Sequence, residues 1–454
     1  MRLPVGGGGR AGARPRVPMH GNPASLFRMP ALWALGLLLA GDALGGPLRY
    51  GLAQSGLIAV AYLPVLVAAL VVVAYAAGQG ACLRADRTAL ALGLAVAVYW
   101  PYALALGRAP EQAAFGGYTF IPFCLGMVVV ATGGLGAALA MVAALWWIAV
   151  PGVSTSAVVD LPWIGESYEI LGVKAQFARA WSAFGHERLP GFSRASYTAA
   201  NQIAAACALL LVGRLARPAK LAIWVVSLAA VWLTTSKAPL VAVAILPMVI
   251  LLHDRAARAT ETRLRVDRLV LAVLLFFLVA LPVSAWFGLR LPASGHLGFL
   301  SFGSFGLRMA SVWPGAFALL DPPWPRLFLG LGFGGVGAGQ AYFDPVRYSA
   351  ADNLFVYLFV TFGLAALLLV GIVFRGNRRI ALRAPALARP LHVATVVVLI
   401  LGMMSNVVES VVPALLLGIL AGKALDPRAV TGEAAPSPVR DWRAGGAAPL
   451  AVRV

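Results

Sequence analysis

Residues 304–363 read SFGLRMASVWPGAFALLDPPWPRLFLGLGFGGVGAGQAYFDPVRYSAADNLFVYLFVTFG, and this stretch decides how the rest of the chain is read. It carries Arg308 in a long hydrophilic break and passes a glycine-rich segment at 330–335. It then re-enters an apolar run through Asp352-Asn353. Apolar runs flank it on both sides for most of the chain. A protein built largely of lipid-soluble helix, interrupted once at length, does its chemistry near the interruption.

Composition agrees. Of 454 residues, 61% are hydrophobic and only 12% charged, far from the globular average and in the range of a polytopic membrane protein. The formal net charge of +19 would suit nucleic acid in a soluble protein. In a membrane protein it is read by position instead, and no nucleic-acid partner is expected. The three cysteines, Cys82, Cys124 and Cys207, lack CxxC spacing, so neither a disulfide framework nor a cysteine zinc site is expected. No cleavable signal is evident, and the first apolar run reads as a retained helix.

A helix needs roughly 20 apolar residues to cross a bilayer core. Such runs lie near 29–46, 55–77, 88–107, 115–133, 135–153, 199–213, 221–252, 269–288, 353–374 and 391–422. Two are too long for one crossing: 221–252 and 391–422 would each span roughly 48 Å against a core of about 30 Å. Each carries a polar break, Thr234-Thr235-Ser236-Lys237 in the first and Ser405-Asn406 with Glu409 in the second. Reading both as hairpins puts every dense Lys/Arg cluster on one side. The expected fold is all-α, a polytopic integral membrane protein of about twelve transmembrane helices with both termini inside.

The membrane domain covers 29–425, with two long outer loops, 154–198 and 289–351. The tails 1–28 and 426–454, rich in Gly, Ala, Pro and Arg, are expected to be disordered and cytoplasmic, their arginines drawn to membrane lipids. In the first outer loop Ile164, Tyr168, Leu171, Phe177, Trp181 and Phe184 recur at helical spacing. An amphipathic surface helix is expected there.

Few Lys/Arg fall outside, among them Arg194, Lys237 and Arg308. Snorkelling explains any one of them alone. Three together near the membrane suit an anion site, because guanidinium groups bind phosphate oxygens in pairs. Gly330-Leu331-Gly332-Phe333-Gly334-Gly335 matches GxGxxG literally but lacks a βαβ context, so it reads as a flexible loop or tight turn. Asp352-Asn353 opens a helix. Either residue suits an N-cap, and the functional reading of the pair is a general base held near a substrate hydroxyl. His186, His296, Glu166, Glu169 and Glu409 are further outer-face candidates of no clear rank, both histidines reading as solvated loop residues. No DxD, HExxH, Walker A or GxSxG arrangement is present, so no cofactor or metal is expected.

These stretches resemble the O-antigen ligase/polymerase superfamily of bacterial envelope glycosyltransferases. Arg194-Ala195-Ser196-Tyr197-Thr198-Ala199-Ala200-Asn201-Gln202-Ile203-Ala204 is similar to the family's Arg-x-x-Gly-x-x-x-x-Asn-x-x-Ala segment, without the glycine. Leu233-Thr234-Thr235-Ser236-Lys237-Ala238 is similar to its Leu-Thr-x-Ser-Arg-Gly tip, with Lys for Arg. Arg308, Trp313, Ala318-Leu319 and Gly330-Leu331-Gly332 resemble its Arg-x-x-x-Trp-x-x-Ala-Leu … Gly-x-Gly run. Asp352-Asn353-Leu354 … Phe362-Gly363-Leu364 resembles its His-Asn-x-Tyr-Leu … Gly-Leu helix, with Asp in the place of His. The core of the likeness lies at about 221–375.

The resemblance implies an inner-membrane, metal-independent glycosyltransferase working on a polyprenyl-diphosphate-linked glycan. Arg308 and Arg194 would bind the diphosphate, assisted by Lys237. Asp352 would stand where the family's His handles the acceptor hydroxyl, with Asn353 beside it at the substrate. The Asp-Asn form fits a polymerase of O-antigen or exopolysaccharide better than a ligase acting on lipid A core. A flippase and a chain-length regulator are the protein partners such an enzyme implies. A lipid-linked oligosaccharide transporter is the rival from another class, but no internal repeat supports it.

Overall fold

A computed structural model of the chain describes residues 26–80, 86–170, 173–183, 185–257, 259–290 and 303–425. Of the tails expected to be disordered, 1–28 and 426–454, all but 26–28 lie outside the described residues, and Arg28 already opens the first helix. Residues 291–302 of the second outer loop, with His296, also lie outside.

The chain is almost wholly helical. It begins with α1 (Arg28–Ala43) and α2 (Gly45–Gln54), bent by 85° at Leu44. Then come α3 (Leu63–Gly80), α4 (Arg87–Ala105), and the bent pair α5 (Pro110–Thr119) and α6 (Ile121–Ala131) at 48°. Next are α7 (Leu135–Ala144) and α8 (Trp146–Ser156), which run on as one apolar span. Two short hairpins follow, β1 (Ser167–Ile170) with β2 (Val173–Gln176) and β3 (Ser182–Ala183) with β4 (His186–Glu187). The bundle resumes with α9 (Ser196–Val212), α10 (Arg217–Leu233), α11 (Lys237–Ala256) and α12 (Thr260–Trp286). Short pieces come next: α13 (Gly303–Leu307), a π-helical turn at Arg308–Val312, α14 (Trp313–Ala318), α15 (Pro323–Leu329) and α16 (Ala338–Phe343). The chain closes with α17 (Leu354–Phe362), α18 (Leu368–Arg383), α19 (Pro385–Met404) and α20 (Val411–Leu425).

Among the described residues, seven helices are long and apolar enough to cross a membrane, or nine if each bent pair is one span. The chain is thus a multi-pass membrane protein. Both long apolar runs break where their polar residues stand. The first breaks between α10 and α11 at 234–236, the second between α19 and α20 at 405–410.

The segment between α8 and α9, expected to be the first outer loop, folds otherwise than expected. Tyr168, expected on an amphipathic helix, lies on a β-strand whose register pairs it with Ala175, and Glu169 with Lys174. Tyr168 is buried and Glu169 exposed, the period-2 alternation of a half-covered strand rather than the 3.6 of a helix. The segment holds β-formers on both sides of Leu171-Gly172, and a short hairpin satisfies its backbone without needing a helix nucleus. Leu171 and Phe184 lie outside the described residues.

The centre of the bundle is built from α6, α9, α19 and α20, and its close approach depends on small side chains. Ala199, Ala200, Ala204, Ala205, Ala206 and Ala208 of α9 are all buried. Where α6 crosses α20, a Cβ on Gly126 would stand 2.4 Å from the Leu415 carbonyl oxygen, and one on Gly418 only 1.9 Å from that of Phe123. In lipid, where apolar surface gains little by leaving its solvent, such backbone proximity is what holds helices together. Gly418→Ala should therefore lower stability by about 1–3 kcal/mol through overpacking. Gly36→Ala in α1, where a Cβ meets nothing within 4 Å, should be neutral or stabilise by up to about 1 kcal/mol. Melting curves of the two purified variants check the contrast, and equal melting temperatures would refute it.

Candidate functional site

The described part of the segment between α12 and α17, from 303 onward, folds back into the bundle rather than lying over it. Leu331, Phe333 and Val336 are buried, and Phe333 packs edge-on against Phe120 and Phe362. The GxGxxG stretch is a tight turn, not a flexible loop. Gly334 adopts φ 75°, and a Cβ there would meet the Gln112 carbonyl oxygen at 2.3 Å. The Gln112 amide in turn donates to the Gly334 carbonyl at 2.8 Å. No open cradle for a phosphate remains.

This inward fold carries Arg308 to the mouth of α17. Arg308 begins the π-helical turn, a widened ring common where a helix is bent to serve a site. Its Nη2 donates to Asp352 Oδ2 at 3.0 Å and its Nη1 to the Ser304 carbonyl at 3.1 Å. Trp313, fully buried in the next turn, donates its indole N–H to the Asp352 carbonyl at 3.3 Å. Arg308 and Asp352 are thus a pair. Each keeps one edge toward solvent, with side chains 23% and 40% exposed.

Asn353 does something else. It is 1% exposed, and it, rather than Asp352, caps α17: its Oδ1 accepts from Val356 N at 3.1 Å. Its Nδ2 donates to the carbonyls of Leu278 in α12 and Met403 in α19, at 3.1 and 3.2 Å. Both ends of the amide are engaged inside the fold, so the structure assigns Asn353 to the scaffold and leaves it no surface for a substrate.

A residue not singled out from the sequence completes the cationic side. Arg188, just after β4, reaches the 234–236 tip, its Nε and Nη2 lying 3.5 Å from the carbonyls of Thr234 and Thr235 and from Ser236 Oγ. With Arg179 it encloses the Trp181 ring, the two guanidinium carbons 3.9 and 4.5 Å from its centroid. Burial, then the charges of Arg179 and Arg308, lower the Arg188 pKa to about 10. Lys237 lies within the fields of Arg308 and Arg188. Arg308, paired with Asp352, thus lies close to Arg188 and Lys237, with Arg179 beside Arg188, an accumulation of positive charge that a bound anion would relieve. The tip itself is strained. Thr235 adopts φ 53°, which a β-branched residue avoids, and its buried hydroxyl meets no hydrogen-bond partner.

Arg194 belongs to a second cationic lobe. Its side chain crosses Gly45 beside Arg49, and Asp42 feels both guanidinium groups while accepting from Gln202 at 2.7 Å. The lobes join along the backbone, where Arg179 N–H donates to the Arg194 carbonyl at 2.8 Å. Tyr197 lies in the fields of both Arg194 and Arg179.

Glu409 stands between the lobes. Its Oε1 accepts from Ala338 N at 2.7 Å, an approach open because Gly337 there has φ 75° and no side chain. Its side chain keeps accessible surface, yet neighbouring protein crowds the carboxyl itself. That crowding, reinforced by the charge of Asp352, pushes its carboxyl up to about 7, against the Ala338 hydrogen bond that lowers it. The Tyr348 hydroxyl, raised by burial and then by Glu409 and Asp352, marks the shared space between the two carboxylates.

Of the sequence candidates, then, Arg308, Lys237 and Asp352 converge, Arg194 stands in the adjoining lobe, and Asn353 turns inward. The residues missed were Arg188, Arg179 and the rank of Glu409. The only sequence signal for them was charge beside an aromatic at Arg179–Trp181 and an acid at a helix break.

Two outcomes follow. Asn353→Ala should lose the cap and leave two carbonyls unpaired, costing about 2–4 kcal/mol, while Asp352→Asn, breaking a half-exposed pair, should cost under about 1 kcal/mol. Thermal unfolding in detergent distinguishes them. The second concerns pH. The fold holds the Glu409 proton up to about 7 against an ordinary 4.5, so its contribution is fully present below the lower value and is lost as pH rises through the higher. Wild-type stability should decline across that window, and Glu409→Gln should remove this part of the decline. An unchanged slope in the variant would assign it to another group. In comparisons with known proteins, no protein-family model matches the chain and no curated protein matches it.

Proposed function

We propose that the protein is an inner-membrane glycosyltransferase that polymerises polyprenyl-diphosphate-linked oligosaccharide repeat units into O-antigen or exopolysaccharide on the outer side of the membrane. The observation that carries this reading is the excess of arginine and lysine around Arg308–Asp352, with a high-pKa carboxyl, Glu409, between two cationic lobes. A polymerase takes two lipid-linked diphosphates, a donor and an acceptor, and two lobes suit two such anions.

In this reading the acceptor sugar hydroxyl attacks the anomeric carbon of the donor glycan. The new glycosidic bond forms as the bond to the diphosphate oxygen breaks, and the diphosphate leaves on its lipid. Arg308, Arg188 and Lys237 meet the charge that develops on the leaving oxygens, and Arg194 with Arg49 holds the acceptor diphosphate. The hydroxyl proton passes to Glu409, whose pKa near the working pH suits a general base. Asp352, expected from the resemblance to handle the hydroxyl, acts here as a positioning residue that holds the Arg308 fork in plane.

Twelve crossings fit this assignment. They comprise the nine apolar spans together with the shorter α9, α10 and α20. The cleft then opens outside, and the arginine-rich ends of α12 and α18 lie in the cytoplasm.

The test is polymer formation from purified lipid-linked repeat units at equal protein levels. Arg308→Lys should be nearly as damaging as Arg308→Ala, because lysine keeps the charge but loses the paired geometry. Asp352→Asn should lose most turnover at normal abundance. Near-normal turnover with lysine would make Arg308 an interfacial anchor, and transfer occurring only when lipid A core is added would make the protein a ligase. For topology, single cysteines at Val346, 96% exposed, and at Arg265, on a side chain 79% exposed, should be labelled from opposite sides in a variant lacking the native cysteines. Labelling from the same side would overturn the assignment.

A further inference from the structure

We infer that His253, Asp267 and His392 form a binding site for a divalent transition-metal ion, zinc foremost, at the end of the bundle opposite the cationic cleft. His253 sits in the last turn of α11, Asp267 in the second turn of α12 and His392 in the second turn of α19. Lys237 opens the same helix that His253 closes, which sets the cleft and the triad roughly 24 Å apart along α11.

The three side chains come from three helices, and all are buried: His253 is 3% exposed, Asp267 7% and His392 2%. One ligand atom from each lies within 4.8 Å of the others. His253 Nδ1 is 2.9 Å from Asp267 Oδ1, and His392 Nε2 is 3.4 Å from the same oxygen. The two imidazoles are stacked, with centroids 5.3 Å apart and planes 25° from parallel. In a tetrahedral site with bonds of about 2.0–2.1 Å, neighbouring ligand atoms stand roughly 3.3 Å apart. The spacings found here need only small adjustments to enclose an ion.

Hydrogen bonds alone do not close this cluster. If both rings donate to Asp267 Oδ1, one oxygen serves two donors, and Nδ1 of His392 is left buried without a partner among the described residues. A leftover nitrogen, a carboxylate and two imidazoles in a low-dielectric setting make a poor hydrogen-bonded core. They make a good donor set. Two imidazole nitrogens and one carboxylate oxygen form a three-ligand shell of a kind zinc takes, with a fourth position for water.

An ion there would tie α11, α12 and α19 together. Two of these, α12 and α19, are the helices joined at the other end by Asn353. Because binding to such a site adds to the free energy of folding, the metal would act as a clamp on the bundle.

The experiment uses the full chain, purified in detergent without a histidine tag. Metal analysis should find about one zinc per chain. Chelator should remove it and lower the melting temperature, and added zinc should restore both. Cobalt added to the stripped protein should give the visible absorption of a tetrahedral site with nitrogen and oxygen ligands. His392→Ala and the nearly isosteric Asp267→Asn should each lose bound metal and the response to chelator, the second guarding against simple misfolding of the first. Stoichiometric iron or manganese with the same dependence on His392 and Asp267 would keep the site and change the ion. Wild type free of metal, with no shift from zinc and no cobalt spectrum, would overturn the site. Metal retained equally by both variants would also overturn it.

Discussion

The side chain of Asn353 is the point on which the arrangement of this bundle turns. Its amide caps α17 and reaches two carbonyls, one in α12 and one in α19, all within a nearly solvent-free interior. Unpaired backbone groups are expensive there, so three helices are held in register by one side chain that can satisfy all three demands at once. The residue before it, Asp352, therefore has little freedom in where it emerges. It emerges beside Arg308.

Everything polar at that end is built on this fixed point. The glycine-rich turn folds against α5 and α17, and Gly337 leaves room for Glu409 to reach the backbone of α16. The hairpins after α8 bring Arg179 and Arg188 around Trp181 and against the strained tip at Thr235. An arginine spread over an aromatic face keeps its fork oriented, so the cleft presents pre-positioned donors rather than mobile charges. Excess positive charge is destabilising in isolation. Here it is concentrated where Arg188, Arg308 and Lys237 lie within one another's fields.

The two ends of the bundle are both basic but place their other polar groups differently. One end is a cationic cleft open to solvent. The other buries two imidazoles and a carboxylate between α11, α12 and α19, near a groove lined by Arg268, Arg375, Arg378 and Arg379. Basic groups at that second end match the headgroup attraction that sets membrane orientation.

Much of the fold was legible in the chain. Apolar runs of bilayer length and polar breaks at 234–236 and 405–410 depend only on local hydropathy and on helix rise, so the helical class, the membrane setting and both hairpins follow directly. Arg308, Lys237 and Asp352 stand out in the chain as well, because charged residues are conspicuous where apolar ones dominate. What local pattern could not decide was anything dependent on distance in space. The spacing of 164–184 fits a helix as well as paired strands until packing chooses, and packing chose strands. Asp352 and Asn353 are adjacent and both able to cap, but only the position of the Leu278 and Met403 carbonyls turns Asn353 inward and Asp352 toward Arg308. Glu409 and Ala338, and His253 and His392, lie far apart in sequence and meet only because helices cross. Local periodicity determines which segments enter the membrane; the satisfaction of buried polar groups, which is a property of the assembled bundle, decides which side chains face one another.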